Sequence, residues 1–360
     1  MVKLNVLLLI PDSTIKQFGG MGTHANGLIN AKHNINFIEY NPVDTNPLIF
    51  LDTIPNNIFI KQIYNQAVNL PKLNLIKDVD IVHSFDASTS LQGRAIANML
   101  GVPHIMSLHL SMTWLVKNIY KKDSNLIASV EMSCLQMCDV AIHVSKEYLF
   151  KYGILNPNSF YMPNGIDLEK WQNTEYQKVN LPGRPNAKKL CYIGRYAEMK
   201  NISSIVNASI PDNVDIYFIG SSDGGQDIWF ELMNDFVENN PNAYYLGSKY
   251  GDEKVNTLKS MDAVIVPSIH EPFGIVCLEA LASGCVLLSS FQSGMKEYLT
   301  EDIAINCGIT PEEITQGIQK WLSLDDIEER KERGFELCKK YSWDNSVNIL
   351  EDIYKRTLGR

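Results

Sequence analysis

Pro267-Ser-Ile-His-Glu-Pro-Phe-Gly-Ile-Val-Cys-Leu-Glu-Ala-Leu-Ala-Ser-Gly284 decides the fold of this chain. The residues just before it, Ala263-Val-Ile-Val266, form a short apolar, β-branched block of the kind buried in a parallel sheet. Pro272 suits the first turn of a helix, where its missing N–H costs nothing. Strand, polar corner and helix N-terminus in succession aim free amides and the positive end of a helix dipole at an anion. Glu271 stands at the mouth of that helix and Glu279 two turns inside it. A ligand carrying phosphate and hydroxyl groups fits such a corner.

Working outward, apolar blocks alternate with helix-period segments almost throughout, which argues for parallel α/β layers. Strands are expected at Asn5–Ile10, Ile35–Tyr40, Ile81–Ser84, His104–Leu108, Val140–Val144 and Phe160–Met162. A second series covers Lys189–Ile193, Asp215–Ile219, Ala243–Leu246, Ala263–Val266, Val286–Ser289 and Ile303–Asn306. Between the series lies the polar stretch Asp167–Asn186 with Pro182-Gly-Arg-Pro185, whose composition marks a domain boundary. The expected domains are 1–166 and 167–342, with ligands at the carboxyl ends of the strands in a cleft between them. Thr310-Pro-Glu-Glu313 reads as an N-cap, a proline at N1 and a capping-box glutamate. A final helix after Ser342 carries Trp343, Val347, Leu350 and Tyr354 on one face, a stripe that must dock.

The 360 residues, 45% hydrophobic and 20% charged, describe a globular protein with no apolar run of membrane-spanning length. The apolar start Met1–Ile10 lacks a cleavage-like segment and reads as a first core strand, not a signal peptide. Seven scattered cysteines form no Cys-x-x-Cys pair, and Cys134 with Cys138 has no second pair to complete a zinc set. Buried free thiols in a cytoplasmic protein are the reading. A net charge of −9 argues against bulk nucleic-acid binding. Lys117, Lys121 and Lys122 beside Trp114, Leu115, Ile119 and Tyr120 could touch an anionic membrane or acceptor; a solvated helix face is the plainer reading.

Further constellations carry chemistry. In Phe18-Gly-Gly-Met-Gly-Thr-His24, Gly19, Gly20 and Gly22 let backbone approach a ligand, although a plain tight turn reads equally well. In Tyr192-Ile-Gly-Arg-Tyr-Ala-Glu-Met-Lys-Asn201, Arg195 and Lys200 offer a planar fork and a point charge to a diphosphate; two solvated cations are the alternative. His109 ends the apolar strand begun at His104, and His24 and His83 are weaker candidates nearby. Asp78-Val-Asp80 merely introduces the next strand and reads as structural, so no metal site is expected.

Together these stretches resemble the retaining GT-B glycosyltransferases of glycosyltransferase family 4. The resemblance rests on Glu271-x7-Glu279, Gly194-Arg195-x4-Lys200, the Gly-Gly-x-Gly loop, and Met162-Pro-Asn-Gly-Ile-Asp167 at the interdomain turn. It implies two Rossmann-like α/β domains with an interdomain cleft, and a last helix, residues 343–360, that crosses back to the N-terminal domain. The substrate implied is a nucleotide-diphosphate sugar, UDP by family frequency, with no cofactor. Arg195 and Lys200 would stabilise the departing diphosphate and Glu271 would touch sugar hydroxyls. Phe273, Gly274, Ile275 and Val276 would line the donor, Glu279 would hold the ribose, and His109 would contact the sugar. Asn201 replaces the usual glycine and Cys285 the usual proline, and Gly220–Gly225 departs from the common loop. The acceptor stays open among a glycan, a lipid-linked glycan, a protein, a small metabolite and modified DNA, with contacts expected from Asn41–Asn57 and the region after His109. The competing readings are a sugar-nucleotide epimerase, a phosphorylase and a non-catalytic sugar-nucleotide-binding subunit.

Overall fold

The computed structural model describes residues 3–10, 20–40, 78–177, 179–221 and 228–359. Gly19, the acceptor segment Asn41–Asn57 and residues 222–225 of the Gly220–Gly225 loop lie outside the described residues. The chain divides into two compact units, Met1–Gly165 with Trp343–Arg360, and Ile166–Ser342.

The first unit carries a six-stranded parallel sheet of β1 (Leu4–Leu9), β2 (Ile35–Tyr40), β3 (Ile81–Phe85), β4 (His104–Leu108), β5 (Val140–His143) and β6 (Ser159–Tyr161), in the order β2-β1-β3-β4-β5-β6. Its inner strands β1, β3 and β4 are almost wholly buried because both faces are covered. Leu7, Leu9 and Val82 pack with Ile96 and Ala97 of the helix Asp86–Leu100. Met106, Leu108 and Ala141 pack with Cys134 and Leu135 of the helix Asn125–Met137 and with Tyr148. The final helix, Trp343–Thr357, buries Trp343, Val347, Leu350 and Tyr354 here. Gly27 permits the approach, since a Cβ there would sit 2.1 Å from the Trp343 ring. Tyr354 secures the other end through a 2.7 Å hydrogen bond to His83 Nδ1.

The second unit repeats the plan with β7 (Lys188–Ile193), β8 (Val214–Ile219), β9 (Ala243–Tyr245), β10 (Ala263–Val266), β11 (Val286–Ser289) and β12 (Ala304–Asn306). Its order is β12-β11-β10-β7-β8-β9, and every pairing is parallel. Leu190, Ile216, Phe218, Ile265 and Leu288 meet Ile314, Ile318 and Trp321 of the helix Pro311–Leu322. That helix opens with the expected capping box: Thr310 Oγ1 accepts from the Glu313 amide (3.2 Å), and Glu313 Oε2 accepts from the Thr310 amide (2.9 Å). The polar stretch before β7 is tied down as well, because the Arg184 guanidinium grips Asp215 of β8 at 2.6 and 2.9 Å.

Each sheet reverses its winding once, between β1 and β3 in the first unit and between β7 and β10 in the second. Adjacent loops diverge at such a point, opening a crevice outside the carboxyl ends of the strands.

Candidate functional site

In the second unit the two loops flanking the reversal are the two richest motifs of the sequence. β7 runs into Gly194-Arg195 and a single 3₁₀ turn, Glu198–Lys200; β10 runs into Pro267–Gly274. The register pairs Tyr192 with Ile265, so both loops leave the sheet at one level. They are then stitched together. The Ile269 amide donates to the Met199 carbonyl (2.9 Å), and Asn201 Nδ2 donates to the carbonyls of Pro267 (3.1 Å) and Ile309 (2.7 Å). Asn201 sits in the left-handed region at φ 61°. Asparagine tolerates that conformation better than other non-glycine residues, which explains how it stands where a glycine is usual.

Across this seam the Lys200 ammonium contacts Glu271 Oε2. The two side chains are 20% and 17% exposed, so the charges are partly withdrawn from water yet reachable by a ligand. Arg195 follows on the same loop, its carbonyl accepting from the Tyr192 hydroxyl at 2.7 Å. Burial pushes the Tyr192 phenol up; the Arg195 charge opposes that and the Glu271 charge adds to it, placing both beside this hydroxyl.

Pro272 does not begin the helix. The helix spans Ile275–Ala282, with Gly274 as its cap at φ 88°. The cause is distant in sequence: the Tyr298 hydroxyl donates to the carbonyls of Phe273 (2.8 Å) and Gly274 (3.1 Å), fixing them in the turn. Phe273 is buried against the rings of Tyr298 and Tyr341, so its side chain is an anchor and only its backbone can face a ligand. Ile275 and Val276 form the first turn, whose amides have no intrahelical acceptor. Glu279 lies deeper, 8% exposed, with Oε1 held at 2.5 Å by Lys254 of the helix Gly251–Lys259. Lys254 escaped the sequence reading because nothing local marks it; only the packing of the two helices brings it to Glu279. His270, also overlooked, is buried with Nδ1 against Ser293 Oγ.

His109 belongs to the first unit, at the carboxyl end of β4, close to that unit's own reversal. Its amide donates to Asp86 Oδ1 at 2.5 Å, and the Leu110 amide donates to the same oxygen at 3.2 Å. Asp86 follows β3 directly, in the left-handed region at φ 55°. Burial pushes its carboxyl up to about 7 against the pull of these two amides. The His109 ring lies 4.3 Å from that of His24, and the buried Nε2 atoms of both have no hydrogen-bond partner among the described residues. His24 is fixed by Asn164 of the Met162–Asp167 motif at 2.6 Å. Burial holds His24 at about 4 and His109 well below the ordinary imidazole range, so both rings are neutral near pH 7. Gly20 and Gly22 lie in the first turn of the helix Gly20–Asn30, further along than a strand-following loop would put them. Asp80 accepts from the Asn5 amide at 3.0 Å. A recess of about 780 Å³ beside Arg94, Asp139, Asn158 and Arg356 lies at the amino ends of β4 to β6, opposite the edge that carries His109.

Residues 173–335 match the family described as glycosyl transferases group 1. An uncharacterized glycosyltransferase of Methanocaldococcus jannaschii is 25% identical over 94% of each chain. Among solved structures, sucrose-phosphate synthase from Thermosynechococcus elongatus superposes with a TM-score of 0.76 at 17% identity, covering 99% of this chain and 100% of that one. Anabaena HepE in complex with UDP-glucose gives a TM-score of 0.67 at 13% identity, covering 99% of each.

Proposed function

We propose that this chain, which has the GT-B fold and whose residues 173–335 match the glycosyl transferases group 1 family, is a glycosyltransferase that moves a hexose-type sugar from a UDP-sugar to an acceptor hydroxyl with retention at the anomeric carbon. The observation that carries this reading is the Lys200–Glu271 pair at the reversal of the second sheet. A cation and an anion kept in contact, partly dry, form a site already arranged for a ligand with both an anionic and a hydroxylated part. On donor binding the Lys200 ammonium turns to the diphosphate beside Arg195, and the freed Glu271 carboxylate accepts from sugar hydroxyls. First-turn amides of the helix Ile275–Ala282 add donors for phosphate and sugar oxygens. Glu279, held by Lys254, accepts from the ribose hydroxyls.

In the transfer step the bond from the anomeric carbon to the leaving phosphate oxygen breaks. The acceptor oxygen bonds to that carbon on the same face, and the acceptor proton passes to the departing phosphate. Arg195 and Lys200 stabilise the charge that develops there, so no side-chain base is required. HepE, solved with UDP-glucose, supports UDP as the nucleotide by likeness of fold. No metal has a role in this scheme, and EDTA is expected to leave the rate unchanged; loss of activity on EDTA treatment would contradict it. Proton NMR of the first-formed product, or of the slow hydrolysis product of an α-linked UDP-hexose, tests the stereochemistry. An α product is expected, and a β product would overturn retention.

A further inference from the structure

Large hydrophobic side chains exposed to solvent are scattered singly over most of the described surface, as is ordinary for a protein. One stretch of the first unit departs from that. Phe150 and Ile154 are 92% and 89% exposed, well above every other exposed large hydrophobic residue described. They stand one helical turn apart, at the end of the helix Lys146–Tyr152 and in the 3₁₀ turn Gly153–Leu155. Nothing in the core requires an aromatic and a β-branched side chain to stand in water at these positions.

The charge beside the pair is mainly positive. Lys146 lies one turn before Phe150 and Lys151 directly after it, their ammonium groups 5.7 and 5.0 Å from the rings of Tyr161 and Tyr152. Glu147, the acidic residue of the same helix, has its Oε2 buried, whereas both lysines are exposed, leaving two positive charges against one negative. This local excess of lysine occurs in a chain whose net charge is −9.

We propose that this protruding pair is a membrane anchor, Phe150 and Ile154 entering the interface of an anionic bilayer while Lys146 and Lys151 meet its headgroups. The occupant follows from shape and charge. A pair of projecting side chains suits a soft surface that closes around them, whereas a protein partner must supply a matching hollow. A symmetric pairing of two copies through this patch would bring lysines face to face with their own counterparts. An anionic lipid surface offers apolar depth and opposite charge together. The inference does not depend on the sugar-transfer reading.

Co-sedimentation of the full chain with vesicles of phosphatidylcholine and phosphatidylglycerol, against phosphatidylcholine alone, tests it. Binding is expected to the anionic vesicles only. It should fall at least about tenfold in the Phe150→Ser, Ile154→Ser double variant, and to a similar degree in Lys146→Glu, Lys151→Glu. Circular dichroism and thermal melting of each variant should match the parent, since these side chains support no core. Absence of wild-type binding, or unchanged binding by the double variant, would overturn the proposal. So would a concentration-dependent dimer, seen by sedimentation velocity, that the serine variant abolishes; the patch would then be a contact between copies.

Discussion

Lys200 and Glu271 each hold a charge that the fold partly removes from water, and each neutralises the other. Replacing either by alanine is expected to lower turnover about 10²–10³-fold while circular dichroism stays unchanged, the scale seen when one preorganised electrostatic group is lost from an active site. Full activity in both variants would remove the pair from the mechanism. Asp86 offers a different test, because one carboxylate oxygen serves the amides of His109 and Leu110. Asp86→Asn keeps an acceptor there and should be well tolerated. Asp86→Ala strands two N–H groups, at about 1–3 kcal/mol each, and should lower the midpoint of chemical denaturation. Lys254 extends the reasoning to Glu279: Lys254→Met should raise the KM for the donor more than it lowers kcat.

At the scale of elements, two glycines hold the architecture where another side chain would collide. A Cβ at Gly294 would lie 1.7 Å from the Pro272 carbonyl oxygen, in the loop that carries Glu271. Gly294→Ala should therefore cost stability of about 1–3 kcal/mol and also lower activity. Gly27→Ala, pressed on Trp343, should loosen the final helix with a comparable loss in melting experiments. Most of the element plan was legible in sequence, since buried parallel strands write themselves as β-branched apolar blocks, and Val286–Ser289 or His104–Leu108 could be bounded to the residue. The helix after Glu271 was misread at its start. Proline at N1 is a sound local signal, but Tyr298, 24 residues downstream of Gly274, overrides it by holding two carbonyls in the turn. Lys254 was illegible for the same reason, its meaning arising only from the packing of helices. Thr310 was legible because a capping box is completed within four residues.

At the scale of the whole molecule, one plan is used twice: six parallel strands with a single reversal of winding. The first unit also stores a pH dependence. Burial holds His24 and His143 at about 4, His104 at about 3, and His83 and His109 well below their ordinary value. An unfolded chain takes up these protons from about pH 6.5 downward and the folded chain does not, so stability present above that value is lost as pH falls toward about 4. Asp86 acts in the opposite sense. Its carboxyl is raised to about 7, and its contribution is present at low pH and lost as pH rises through that value. Five imidazoles outweigh one carboxyl, and the melting temperature should fall between about pH 6.5 and about pH 4; a rise would show that these rings are solvated. The central claim, that the paired charges at the reversal of the second sheet serve a nucleotide-diphosphate sugar, is tested most directly by calorimetric titration with a panel of such sugars. Saturable binding of one UDP-hexose, at one site per chain and abolished by Arg195→Ala with Lys200→Ala, is the predicted result. Absence of binding across the panel, or binding indifferent to those substitutions, would contradict it.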